Sequence, residues 1–141
     1  MVIVAIATGV FIQGLRAQRA TVSLIAANSN ASLALEQISR EIRTGQNFSL
    51  SGDELSFINA KNQSVTYRLN SETIEKTIDG SSGSVTASNV KVSKLNFILI
   101  GESPSDGLPT KITMILEISA PEANSAKINL QATVSSRILE G

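Results

Sequence analysis

Residues 1–45 read MVIVAIATGVFIQGLRAQRATVSLIAANSNASLALEQISREIRTG. No proline interrupts this stretch, which predicts a single α-helix. From Arg16 onward, apolar residues recur every three or four positions, the spacing that places them on one helical face. That face is predicted to pack against the rest of the domain, and it consists of Leu24, Ala27, Ala31, Leu35, Ile38 and Ile42.

The first fifteen residues have a different pattern, because they are apolar or small around the whole helix and no charge precedes Arg16. A helix of this kind is predicted to lie in a membrane, and the alternative is a buried core helix of a soluble protein. Its length of roughly 22 Å falls short of the roughly 30 Å hydrocarbon core of a bilayer. A secretory signal peptide is disfavoured, because no basic residue precedes the apolar run. The apolar residues of this segment are Val2, Ile3, Val4, Ile6, Val10, Phe11, Ile12 and Leu15.

Gly45 is predicted to end the helix as a left-handed cap after Arg43 and Thr44. The whole helix would be about 65 Å long, far above the mean for globular proteins. Its N-terminal half is therefore expected to project beyond the domain.

After Gly45 the apolar period changes from about 3.6 to two, which predicts β-strands. Residues 79–84 are rich in Gly and Ser and are predicted to be a flexible connection. Residues 95–100 carry apolar side chains on both faces and are predicted to form a central strand covered on both sides. Predicted strand positions are Leu55, Phe57, Val65, Tyr67, Leu69, Ile74, Ile78, Val90, Val92, Leu95, Phe97, Leu99, Ile112, Met114, Leu116, Ile118, Ile128, Leu130, Ala132 and Val134.

One long helix followed only by strands predicts an α+β fold, with an antiparallel β-sheet packed on the N-terminal α-helix. The expected organisation is an apolar helix segment at 1–15, the amphipathic half of the same helix at 16–45, an antiparallel β head domain at 46–137, and a tail at 138–141.

Composition disfavours several classes of function. The chain has no cysteine and no histidine, which removes thiolate chemistry, the commonest general base and the commonest transition-metal ligand. We therefore expect no enzyme activity and no cofactor. The carboxylates available to an enzyme are scattered, and the weaker alternative of a calcium site would use Glu102 and Asp106. These carboxylates are Glu36, Glu41, Asp53, Asp79 and Asp106.

The twelve basic and twelve acidic residues cancel, so net charge does not favour a nucleic-acid partner. Aromatic residues of the strand region fall mostly at predicted core positions, so they form no evident stacking platform for single strands. No nucleic-acid binding is predicted. The basic residues spread through this region are Lys61, Arg68, Lys76, Lys91, Lys94 and Lys111.

The sequence resembles the type IV pilins and the pseudopilins of type II secretion. Residues 1–10 are similar to the second part of the prepilin apolar segment, and residues 35–43, LEQISREIR, resemble the helix end of J-type pseudopilins and PilW-like minor pilins. The strand region also resembles this group, with Val65-Thr66-Tyr67-Arg68-Leu69, then Leu95-Asn96-Phe97, and a final strand at 130–137.

This resemblance implies a non-catalytic minor pilin or pseudopilin of a pilus, secretion or DNA-uptake filament, in a tip or priming complex. It also implies that the apolar residues named above between Val2 and Leu15 pack in the membrane and then in the filament. Its implied partners are other pilin or pseudopilin subunits, the inner-membrane assembly platform and, before assembly, the lipid bilayer. The implied location is the bacterial cytoplasmic membrane, crossed once with the head outside the cytoplasm, and then a cell-surface or periplasmic filament. The leader, the cleavage-site glycine and the glutamate at mature position five are absent, so the sequence is expected to be truncated at its N-terminus. The alternative is a membrane-tethered binding module, an adhesin or DNA receptor, on the same fold.

Overall fold

The computed structural model of the protein describes residues 2–101, 107–122 and 126–137, and for residues 2 and 3 it describes the backbone only. Within these residues a single helix, α1, begins at Val2 and ends at Arg43. In the same described part of the chain eight strands follow it: β1 Gln46–Ser51, β2 Glu54–Ile58, β3 Ser64–Asn70, β4 Thr73–Ile78, β5 Ser81–Ser84, β6 Lys91–Ile100, β7 Lys111–Ser119 and β8 Lys127–Ser135.

The strands form two antiparallel sheets, each a simple meander. The first sheet has the order β1-β2-β3-β4-β5, and the second has the order β6-β7-β8. The prediction of an α+β fold with α1 on antiparallel sheet structure is confirmed, but the expectation of one sheet is wrong. Strands β5 and β6 do not pair with each other; a short loop connects them, and the second sheet begins at β6. The sheets meet where the Val92 N–H donates to the Glu72 carbonyl at 2.8 Å.

One core joins the helix to both sheets. Residues of α1 between 27 and 42 pack with the inward-facing side chains of β2, β3 and β4 in the first sheet and of β6, β7 and β8 in the second. Every second residue of β7 is buried, which follows from the period of two of a strand whose inner face meets the core. The largest fully buried side chains are Tyr67, Phe57, Ile38, Ile42, Leu55, Ile74, Leu95, Ile112, Met114, Leu116, Ile118 and Val65.

Gly45 follows the helix end as predicted, but it does not adopt the left-handed conformation. The last turn instead tightens, with the Gly45 N–H donating to the Ile42 carbonyl at 3.1 Å, as in a 3₁₀ turn. The positive φ of 55° belongs to Asn47, beside an irregularity in the pairing of β1 with β2. Gly45 is small for another reason, since a Cβ atom there would lie 2.6 Å from Cδ2 of Phe57.

The expected flexible connection at 79–84 is a β-hairpin, so that prediction is wrong. Ile78 pairs with Ser81, which leaves Asp79 and Gly80 as a two-residue loop. Their φ angles of 47° and 89° are both positive, which defines a type I′ turn, and an Asp-Gly pair is among the best sequences for that turn. The serine and glycine residues after the turn therefore continue as β5.

The expectation that residues 95–100 form a central, doubly covered strand is also wrong. They belong to β6, which lies at an edge of the three-stranded sheet. Leu95 and Phe97 face the core, whereas Ile98 and Ile100 are 42% and 59% exposed on the other face. The pairing of β6 with β7 shifts register between Val92 and Lys94.

Candidate functional site

Helix α1 presents two different surfaces, and the first is the face that holds the head together. The sequence-predicted packing residues lie on it: Ala27, Ala31, Leu35, Ile38 and Ile42 are buried in the core, and Leu24 is half-buried against it. The small side chains of Ala27, Ala31 and Ala34 allow the helix to approach the strands closely. Nearer the C-terminal end of α1, the larger side chains of Ile38 and Ile42 are buried in the core.

The sequence-predicted filament-packing residues lie on the other part of the helix, before it meets the head. All the described ones are solvent-exposed, with exposed fractions between 40% and 67%. The side chains of Val2 and Ile3 are outside the description. The exposed predicted residues are Val4, Ile6, Val10, Phe11, Ile12 and Leu15.

A second apolar stripe, here called the outer stripe, runs along α1. Sequence analysis named its first members, Val4, Phe11 and Leu15, but missed its extension to Val22 and Leu33. Val4, Phe11, Leu15, Val22 and Leu33 fall within roughly 40° of one another when residues are placed at 100° intervals around the helix. The centre of this stripe is about 180° from the centre of the buried face. From Val4 to Leu33 it is roughly 44 Å long at 1.5 Å per residue.

The outer stripe is unusual for a helix that already buries one face. Val22 and Leu33 are 60% and 62% exposed, although both lie in the half of α1 nearer the head. Exposed apolar side chains that share one helix face are typical of surfaces that contact other molecules. The signal was present in the sequence, but the stronger periodicity of the buried face obscured it.

A groove lies where the outer half of α1 leaves the head. It has a volume of about 570 Å³, and helix residues form one wall while two loops of the head form the other. Leu15 and Val22 belong to both the groove and the outer stripe, so the two surfaces are continuous. The lining residues are Leu15, Gln18, Arg19, Val22, Ser23, Ala26, Asn89, Pro121 and Glu122.

A polar cluster of Glu41, Tyr67 and Lys76 fastens the C-terminal part of α1 to the first sheet. The Tyr67 hydroxyl donates to Glu41 Oε2 at 2.6 Å, and Lys76 Nζ donates to Glu41 Oε1. Lys76 also lies over the Tyr67 ring, 5.8 Å from its centroid. Burial, followed by the hydrogen bond to Glu41 and the charge of Glu41, raises the pKa of Tyr67 far above its usual range. The phenol therefore stays protonated, and the cluster links α1 to β3 and β4 through hydrogen bonds.

Several of the basic residues of the sheets have acidic partners. Arg68 donates two hydrogen bonds to Glu75 Oε1, at 2.8 Å from Nε and 2.6 Å from Nη2. Lys91 lies 3.6 Å from Glu72. These pairs divide the positive charge among local partners instead of gathering it into one surface.

No cluster of three or more carboxylates that could hold a metal ion occurs among residues 2–101, 107–122 and 126–137. The calcium site considered at Glu102 and Asp106 lies outside the described residues, as do the residues of the expected tail at 138–141.

Within the described residues, no helix has both the length and the mean hydropathy that crossing a bilayer requires. Comparisons with protein-family models, with curated protein sequences and with solved structures each found no match.

Proposed function

We propose that the protein is a minor pilin or pseudopilin, a non-catalytic subunit whose helix α1 packs lengthwise against the helices of neighbouring subunits in a filament. The observation that carries this proposal is the outer stripe of α1, an apolar surface opposite the face that α1 uses for its own head. A subunit that assembles through its helix needs two such faces, one for the head and one for the neighbours.

The distribution of exposed apolar side chains supports the same proposal. Nine of the twelve large apolar side chains exposed in the described part of the chain lie on α1, and only Ile98, Ile100 and Leu108 lie elsewhere. Helix packing among equally apolar surroundings depends on close contact between small residues. Glycines at positions 9 and 14 have open space around them, so they would allow a neighbouring helix to approach closely.

In this proposal the partners are other pilin or pseudopilin subunits in a tip or priming complex, together with the inner-membrane assembly platform. The apolar segment occupies the bacterial cytoplasmic membrane first, with the head outside the cytoplasm, and enters the filament afterwards. The transfer costs little hydrophobic free energy, because lipid chains and neighbouring helices are similarly apolar.

Cysteine cross-linking in cells tests the proposal directly, because the chain contains no cysteine of its own. Single variants Phe11→Cys and Val22→Cys place a thiol on the outer stripe, and the control Lys61→Cys places one on an exposed turn of the head. A short bis-maleimide should join the stripe variants to another pilin-like subunit that also carries a helix cysteine. The control should give no such product.

A charge on the stripe gives an independent test. Val22→Glu should leave the head folded, since Val22 is exposed, yet it should remove the protein from the sheared filament fraction by at least about tenfold. Lys61→Glu should assemble normally. If the stripe variants form no subunit cross-links and Val22→Glu changes only surface adhesion or DNA uptake, the protein is instead a tethered binding module.

A further inference from the structure

Strand β5 is a free edge of the five-stranded sheet. It is only four residues long, but it carries no charged side chain and no proline that would block pairing with another strand. Its sequence is Ser-Ser-Gly-Ser at 81–84, and all four residues are exposed. Unprotected edges present backbone donors and acceptors to any extended chain that approaches them. The edge is therefore competent for strand addition.

The type I′ turn fixes which backbone groups point outward. In a two-residue hairpin the residues flanking the turn, here Ile78 and Ser81, exchange both backbone hydrogen bonds, and hydrogen-bonded pairs then alternate along the ladder. Lys76 and Gly83 form the next such pair, and the Val85 N–H donates to the Ile74 carbonyl at 2.8 Å as the pattern requires. The backbone N–H and C=O groups of Ser82 and Ser84 consequently point away from β4.

A trough lies beside this edge, between β5 and the flank of α1. Lys76 reaches from β4 to Glu41 of α1, so its register partner Gly83 faces the helix as well. A Cβ atom added at Gly83 would have no other atom within 4 Å, so the space beside the helix is open there. Gln37 borders both this trough and the adjoining groove that contains Leu33, which joins the two into one surface.

The charges around the trough select the kind of occupant. Arg40 pairs with Glu36 at 2.5 Å, and Lys76 pairs with Glu41, so the four charged groups cancel in pairs. The rest of the wall is hydroxyl, amide and apolar, with Leu33 62% exposed and Ile78 half-buried. An uncharged segment fits this wall better than a basic or acidic one.

We propose that the edge of β5 and the trough beside α1 bind an extended, uncharged segment of a partner protein, which adds to the sheet next to β5. Backbone hydrogen bonds to Ser82 and Ser84 supply the attachment, and apolar side chains at alternate positions of the segment contact Leu33 and Ile78. This inference does not depend on filament assembly, because the isolated full-length chain is sufficient to test it.

The test is selection of random decapeptides on the purified full-length protein. Selected peptides should alternate apolar and uncharged polar residues. On binding, they should slow amide hydrogen exchange at Ser82 and Ser84. Ser82→Pro removes one outward N–H at an edge position where proline is tolerated, and it should weaken binding about tenfold or more. Ser82→Ala retains that N–H and should change affinity less than about twofold.

Leu33→Glu is a second variant that cannot act by disturbing the strand, since Leu33 is exposed on the helix. It should weaken binding of the same peptides severalfold. The proposal is overturned if no peptide is enriched, if enriched peptides bind Ser82→Pro as tightly as the unmodified protein, or if they protect amides elsewhere. Concentration-dependent self-association that Ser82→Pro abolishes would assign the edge to a second copy of the chain instead.

Discussion

The Tyr67 hydroxyl of β3 donates a 2.6 Å hydrogen bond to Glu41 of α1, although 26 positions separate the two residues in the chain. The same carboxylate receives Lys76 from the neighbouring strand. One carboxylate thus connects the helix to two strands near the C-terminal end of α1. This arrangement gives the first sheet a directional link to the helix in addition to apolar packing.

Tyr67→Phe should lower the free energy of unfolding by about 1–2 kcal/mol, because it removes a hydrogen bond to a charged acceptor while preserving the buried ring. Urea denaturation followed by circular dichroism measures this change. The matched control is Thr66→Val, on the same strand, which removes only the hydroxyl contact between Thr66 and Ser56 at 3.0 Å. It should cost less than about 1 kcal/mol. Equal losses of unfolding free energy in the two variants would show that the hydrogen bond to Glu41 stabilises the protein no more than the neutral contact between Thr66 and Ser56.

Tyr67 should resist ionisation for as long as the protein is folded. Its pKa is raised in the folded state, chiefly by burial, so its contribution to stability is present below about pH 10 and is lost as pH rises further. The chain has one tyrosine and no tryptophan, so tyrosinate absorbance reports this residue alone. Alkaline titration should show tyrosinate appearing together with loss of circular dichroism. Ionisation near pH 10 in a fully folded protein would contradict this prediction.

Gly45→Ala should destabilise the head by about 1–3 kcal/mol, because the new methyl group would overlap Phe57 Cδ2 at 2.6 Å and approach Phe48 Cζ at 3.1 Å. Thermal unfolding measures the loss. Gly83→Ala is the control, since Gly83 lies in open space without a positive φ. That variant should be neutral or slightly more stable. A neutral Gly45→Ala would mean that the ring of Phe57 can move aside at little cost.

Acidification should weaken the second sheet through Glu117. Lys127 donates to this carboxylate at 2.8 Å and Ser93 at 2.6 Å, and these contacts lower the pKa of Glu117. A lowered folded pKa gives stability that is present above about pH 4.3 and is lost as pH falls through the folded value.

Melting temperatures between pH 7 and pH 3 should therefore fall more steeply for the unmodified protein than for Glu117→Gln. Glu122→Gln removes the same charge from an exposed loop and should keep the steep profile. Parallel profiles for all three proteins would rule out a contribution from Glu117.

Sequence reasoning predicted the strongly periodic parts of the fold. The position of the helix end at Arg43 and the inward residues of β3 and β7 were predicted from the change of apolar period and from alternation. These features are local, so a linear pattern contains the information that determines them.

The features that sequence reasoning missed depend on contacts between distant segments. Gly45 matches the usual glycine cap, and only the position of Phe57 reveals that its role is close packing. Strand β5 lacks apolar residues, so no hydrophobic alternation marks it, and its pairing comes from the Asp79-Gly80 turn. The residues of the outer stripe alternate along α1 with those of the buried face. The two faces can be separated only when the residues that contact the sheets are known.

The backbone bond from the Arg137 N–H to the Arg43 carbonyl, 3.0 Å long, joins the segment after β8 to the end of α1. Strand β8 also contacts α1. The helix therefore leaves the ribosome before every strand that packs on it, and β8 is the last of these strands to be made. At about 5 to 20 residues per second, the ribosome needs on the order of 5 to 20 s to make the intervening strands. During that interval the inner face of α1 is incompletely covered, and transiently exposed apolar surface of this kind favours aggregation.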